Sequence, residues 1–323
     1  MTRANANRTA IGILCAIICE CLYGTAFMFT KQATDQVSML TLLSWRFFLA
    51  FAVMSIPVAL GWLKVSYKGK RLKRLAVLAI LFPVLYFIGE TIGIDLTTAS
   101  ESGTIIACIP VASLLASAVL LRKAPSRLQI TGVCITLAGV LITVLGVGIT
   151  ASLSVPGYLM LLMAVISYAL YSICVEDTPE FTSVELTYAM LTVGCVTFVS
   201  AAFAEALIQG TVRELVTAPF SSPELLKAVL YEGLGCSIGA FFMNNVAIAN
   251  IGVNRTSSFV GLSTVVTILS GVLFLHETFT VVQIVGAVVI VAGVYIANAS
   301  AGTAETAQRQ EESNPLTASR SSP

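Results

Sequence analysis

Charge is scarce in this sequence: Asp, Glu, Lys and Arg make up 11% of 323 residues, while 57% of positions are hydrophobic and the mean hydropathy is +0.91. Soluble domains are roughly a quarter charged, so the composition excludes a soluble globular fold and makes lipid the solvent. Histidine is scarcer still. His276 stands alone, with no partner at metal-ligand spacing, so neither a zinc site nor any cofactor is expected. The eight cysteines hold no CxxC pair and fall within or at the ends of apolar runs, where they read as small packing residues. A net charge of +1 gives no pull toward nucleic acid.

What the sequence has in abundance is long apolar runs. They begin near Ile11, Met39, Leu75, Gly103, Leu128, Pro156, Glu185, Ala228, Thr256 and Val281, each close to the roughly 20 residues a helix needs to cross a bilayer. The runs lack the two-residue alternation of barrel strands, so an all-α integral membrane fold is expected. The first run carries Glu20 and no small-residue cleavage box, so it reads as a retained span rather than a signal peptide.

The runs also repeat. Gln129, Ile130, Gly132, Ala138, Gly139, Val140 and Ile142 recur as Gln283, Ile284, Gly286, Ala292, Gly293, Val294 and Ile296, a constant offset of 154 with no gap. Five spans per copy return the second copy to the membrane in the opposite orientation, so ten transmembrane helices are expected as two inverted-topology five-helix repeats. The expected boundaries are a cytoplasmic N-terminus 1–9, repeats 10–149 and 150–298, and a disordered cytoplasmic tail 299–323, rich in small and polar residues. The glycine pairs Gly132/Gly139 and Gly286/Gly293 permit close backbone approach and mark spans five and ten as scaffold or homodimer contacts.

Basic residues set the orientation. With the N-terminus inside, fourteen Lys and Arg fall on the inner side and three (Lys31, Arg213, Lys227) on the outer, with Arg46 within a span. That asymmetry predicts a multi-pass protein of the cell membrane with both termini cytoplasmic. The run KVSYKGKRLKR then reads as a cytoplasmic loop, with a lipid or nucleic-acid site as the lesser alternative, and the acidic turn EDTPEF as solvated.

Ionisable groups at membrane depth are costly, and so they are candidate functional residues. Glu20 lies near the middle of span one and either faces a wet cavity or pairs with Arg46 of span two. Glu90 of span three coincides, by the repeat offset, with Asn244 of span eight, beside Asn245. Tyr23, Tyr86 and Tyr168 are candidate aromatic walls, although Tyr168 and Tyr171 equally suit an interfacial aromatic belt. Glu205 and Glu232 read as lying near span ends, in reach of water. Pro110 in span four removes a backbone donor and predicts a kink; the equivalent position in span nine is Thr264.

Tyr23-Gly24 with Lys31, Arg46 and Ala50 in LLSWRFFLAF, GIDLTTAS after span three, Pro110, and LFLHETFTVVQIVGAVVIVAGV with Glu277 and Gly286 together resemble the drug/metabolite transporter superfamily, specifically its ten-helix EamA type, over residues 10 to 298. The sequence departs from that pattern at Lys123, Thr264, Tyr23 and Tyr168. The resemblance implies transport, often export, of small polar metabolites such as amino acids by two repeats rocking around a central cavity, with protons as the coupling ion in some relatives. It also implies that Glu277 caps and holds a helix end. The rival readings are a non-transporting membrane scaffold and an intramembrane enzyme. The enzyme would need a nucleophile with a base, or a metal cluster, at membrane depth.

Overall fold

The computed structural model describes residues 3–34, 36–96, 105–122, 124–145, 154–275 and 281–312. All elements among them are helical, as an apolar solvent requires of a spanning chain whose backbone polar groups find no water. They are α1 (Arg3–Thr34), α2 (Met39–Ala59), α3 (Leu72–Ala79), α4 (Tyr86–Leu96), α5 (Ile109–Leu120), α6 (Arg127–Leu145), α7 (Val155–Glu176), α8 (Ser183–Gln209), α9 (Val212–Thr217), α10 (Pro223–Leu230), α11 (Phe241–Ile251), α12 (Val253–Ser258), α13 (Gly261–Leu275) and α14 (Val281–Glu312). Among the described residues, six stretches are long and apolar enough to cross a membrane, against the ten expected: Ala6–Thr30, Met39–Ala59, Leu72–Gly93, Val155–Glu176, Ser183–Gln209 and Pro223–Ile251. Shorter apolar helices occupy Ile109–Leu120, Arg127–Ile142 and Ile284–Ala297.

Local chemistry explains where these helices start and stop. Ser38, Ser154 and Ser222 accept the amides of Thr41, Gly157 and Leu225 as N-caps, and Thr182 with Glu185 forms a reciprocal capping box at the start of α8. Gly210 ends α8 at a φ of 72°, a left-handed conformation that glycine adopts without steric penalty. Pro110 does not sit in mid-helix. A turn at Ala107 and Cys108 breaks span four first, and Pro110 falls in the opening turn of α5, where a missing N–H costs nothing. The last helix continues to Glu312, past Ala299 where a disordered tail was expected. The stretch AGTAETAQRQEE is rich in Ala, Glu and Gln, whose helix propensity is high.

Two long spans are irregular in mid-membrane. α3 and α4 are joined by a π-helical segment, Ile80–Leu85, in which Phe82 leaves helical geometry (φ −141°, ψ 118°) just before Pro83, which has no N–H to donate. α10 and α11 are joined by a second π segment, Tyr231–Ala240, rich in glycine. Shifted by the repeat offset of 154, the first segment falls inside the second.

The helices α6 and α14 lie at backbone contact. A Cβ built on Gly139 would come 2.7 Å from the Ile290 amide nitrogen and 2.9 Å from the Gly286 carbonyl oxygen, and one on Gly293 would reach 2.7 Å from the Gly132 carbonyl oxygen. Backbone atoms cannot rotate away, so a side chain at Gly139 must part the helices. Gly139→Leu is expected to destabilise the protein by about 1–3 kcal/mol through overpacking, read as a lower Tm in detergent. Ala138→Leu, on the exposed face one residue away, serves as the control and should leave Tm unchanged.

Candidate functional site

The irregular segment between α3 and α4 turns Phe82, Tyr86 and Phe87 into the interior, where they meet α7 and α11. Phe82 stacks on Tyr171 with centroids 4.8 Å apart and lies edge-on to Tyr168 at 5.6 Å, while Tyr86 and Tyr168 are 5.9 Å apart. Phe241 of α11 closes the group, 4.9 Å from Phe82. Tyr168 and Tyr171 are therefore interior residues, 5% and 0% exposed, and do not belong to an interfacial belt. Their spacing of three residues puts both on one helix face, but helix pattern alone does not say which way that face points.

Polar groups thread through these rings. The Tyr86 hydroxyl donates to Glu90 Oε1 at 2.9 Å, one helical turn on. The Tyr168 hydroxyl donates to Asn244 Oδ1 at 3.2 Å, and Tyr171 to Asn245 Oδ1 at 2.7 Å. Asn244 Nδ2 returns a bond to the Tyr171 hydroxyl at 3.3 Å, and Asn245 Nδ2 donates to Thr187 Oγ1 at 3.1 Å. Both asparagines are buried. Asn245 has its amide committed on both ends, so it bridges α7, α8 and α11, whereas Glu90 has a carboxylate oxygen beyond the one that Tyr86 reaches.

Glu20 and Tyr23 sit one turn apart on α1 beside this group. Glu20 is buried, accepts a hydrogen bond from Ser263 of α13, and lies within electrostatic reach of Tyr86 and Tyr168. The buried Tyr23 hydroxyl lies near Cys19, Tyr168 and Tyr171. The structure thus brings Glu20, Tyr23, Tyr86, Glu90, Tyr168, Asn244 and Asn245 into one region. Glu277 and His276 lie outside the described residues.

Arg46 does not pair with Glu20. It reaches Glu232, with Nη1 3.5 Å from Oε2, and its Nε donates to the Ser237 hydroxyl at 2.7 Å. The guanidinium lies 4.6 Å from the Phe87 ring centroid, where a cation–π contact offsets part of its desolvation. Thr30 donates to the other Glu232 oxygen at 2.5 Å. Glu232 is 1% exposed, not near a span end. The span begins at Pro223, earlier than the hydropathy rise at Ala228 suggests, so Glu232 is more than two turns inside. Glu205 accepts from Ser38 in an exposed contact, as its expected place near a span end requires.

Closely packed helices, broken spans and an interior of rings and carboxylates describe a helical membrane protein, and comparison with known proteins gives its family. The EamA-like transporter family matches this chain twice, over residues 10–145 and 155–299. The chain belongs to that family. It is similar to the uncharacterized transporter YcxC of Bacillus subtilis (strain 168), 31% identical over 287 residues that cover 88% of this chain and 92% of that protein. A crystal structure aligned at 17% identity has a TM-score of 0.71 and covers 91% of this chain and 98% of its own, a likeness of fold alone. Membership makes this chain a multi-pass membrane transporter. In the two family segments, Glu20, Tyr23, Arg46, Tyr86 and Glu90 fall in the first and Tyr168, Glu232, Asn244 and Asn245 in the second, so each polar cluster joins both.

Proposed function

We propose that this EamA-like protein is a secondary transporter, working as an exporter, of small polar metabolites that carry an amine, amino acids among them. The observation that carries the reading is the Tyr86–Glu90 pair beside Tyr168, itself bonded to Asn244, a carboxylate among aromatic rings where elements of both family segments meet. A carboxylate attracts an ammonium group, and the faces of tyrosine rings do the same through their quadrupoles. Glu20 supplies a second buried carboxylate, for substrate or for a coupling proton.

Two halves in inverted topology, five spans each, would alternate access by rocking about this site. Two features support that architecture. The repeat offset relates the two π segments, and interrupted helices near the midplane are where transporters of this kind build their sites. Substrate entering between the rings would displace the internal hydrogen bonds of Asn244 and Tyr86, and the ring contacts would close behind it.

The test is flux in proteoliposomes holding the purified protein, with labelled amino acids, polyamines and nucleosides, with and without an imposed pH gradient. Accumulation of an amine-bearing solute driven by the gradient is the expected result and makes the proton the coupling ion. Flux only down the solute's own gradient would make the protein a facilitator and remove the coupling role from Glu20. Uniform silence across the panel, from protein that remains folded, would overturn the transport reading for this substrate class.

A further inference from the structure

We infer that Lys70, Arg71 and Arg74 form an ionic clamp with Glu185, Glu180 and Asp177 that holds one mouth of the transporter shut and parts in each cycle. The inference rests on the transport reading for its cycle but on geometry alone for its closure. The basic run between α2 and α3 crosses the structure to the turn between α7 and α8, and the two loops belong to different family segments.

Arg71 engages Glu180 with both ends of its fork, Nε to Oε1 at 2.6 Å and Nη2 to Oε2 at 2.9 Å, and Nη2 also donates to the Asp177 carbonyl at 2.9 Å. Such bidentate pairing fixes orientation as well as distance. Arg74 pairs with the Asp177 carboxylate. The keystone is Glu185, 3% exposed. It accepts from Lys70 Nζ at 2.5 Å, from the Ser66 amide at 3.0 Å and from the Thr182 amide at 2.9 Å, while the Tyr67 hydroxyl donates to its backbone carbonyl at 3.0 Å. Lys70 also rests 5.3 Å from the Phe181 ring centroid.

The opposite mouth is joined differently. There Gln36 meets Ser222, Ser38 donates to Glu205, and Trp45 Nε1 donates to the Leu215 carbonyl. Each is a single hydrogen bond, and none joins two opposite charges. Among the described residues, three ion pairs hold the clamped end, against these separate hydrogen bonds at the other. The basic loop has no counterpart in the second repeat, where the corresponding connection reads TVRELVTAPFSSPE. By the distribution of Lys and Arg, the clamped mouth is the cytoplasmic one, so a solute leaving the cell would have to open it to load.

The Arg71 guanidinium holds the Glu180 carboxyl at about 2, below the usual carboxylate range. The Arg71–Glu180 pair is therefore fully charged above the ordinary carboxylate pKa and loses its charge only as pH falls toward 2, so the pH of a cytoplasm leaves it ionised.

Spin labels on Lys68→Cys and Pro179→Cys, both exposed, in a variant with the native cysteines replaced, read the distance across the clamp by double electron–electron resonance. The wild-type clamp should give one narrow distance. Arg71→Glu should move most of the population to a longer, broader one, and the swap Arg71→Glu/Glu180→Arg should restore the short distance. If Arg71→Glu does not fold, the neutral pair Arg71→Gln/Arg74→Gln is read instead, with broadening expected. A distribution unchanged by either folded variant overturns the clamp. A charge-dependent distance in a protein that moves none of the tested solutes leaves the closure standing and removes the transport reading. Flux with an unresponsive distance does the reverse.

Discussion

Glu90→Gln is expected to lower the transport of an amine-bearing substrate by about ten- to a hundred-fold while leaving the protein folded. The magnitude follows from the loss of one charge-assisted hydrogen bond, about 1.5–3 kcal/mol, at about 1.4 kcal/mol per factor of ten. The fold should survive because a glutamine carbonyl accepts the Tyr86 hydroxyl as the carboxylate does at 2.9 Å. Asn245→Ala should show the opposite pattern. Its amide serves Tyr171 and Thr187 on two neighbouring helices, so its removal takes the acceptor from the Tyr171 hydroxyl, which keeps its bond from Asn244, and the donor from Thr187, and costs stability, about 1–3 kcal/mol per unsatisfied group. Initial rates of amine uptake into proteoliposomes, set beside Tm in detergent, separate the two. A Glu90→Gln protein that transports at the wild-type rate would remove Glu90 from the site.

Six of the ten expected spans, and the buried polar side chains within them, were legible in the sequence because both are written in single residues. Apolar length gives a helix its place in lipid, and a carboxylate or amide inside such a run stands out, as Glu20, Glu90 and Asn244 do. What the sequence hid was pairing. Arg46 had a choice of carboxylates, and the rotation of α2 decides between them, setting the guanidinium against Glu232 and Ser237 on the second π segment. Glu232 itself was misplaced because hydropathy starts the span at Ala228, whereas Ser222 and Pro223 start the helix one turn earlier.

The loops were hidden in the same way. KVSYKGKRLKR and EDTPEF each read as solvated when taken alone. Only the tertiary fold sets Arg71 on Glu180 and Lys70 on Glu185, since these positions are more than a hundred residues apart in the chain. The interior rings shared the ambiguity. Tyr168 and Tyr171 fit a pore or a belt equally by spacing, and their contacts with Phe82 place them in the interior.

Arg46→Met is expected to cost more stability than any other single change at the interior, about 3–5 kcal/mol, because it leaves Glu232 as a buried charge without its cation. Glu232→Gln should cost a similar amount by stranding the guanidinium, whose other contacts are the Ser237 hydroxyl and the Phe87 and Phe47 rings. The double variant Arg46→Met/Glu232→Gln leaves neither buried charge, so it should cost less than the sum of the singles, by a coupling of about 0.5–3 kcal/mol. The pair need not add net stability for this to hold, since two ions held 3.5 Å apart recover only part of their desolvation. Removing one partner exposes the penalty that the other was offsetting. The measurement is a double-mutant cycle on unfolding midpoints in detergent. Additive losses would mean that Arg46 and Glu232 do not sense each other in the folded protein, and the guanidinium would then be free to serve Glu90, which lies within its electrostatic reach.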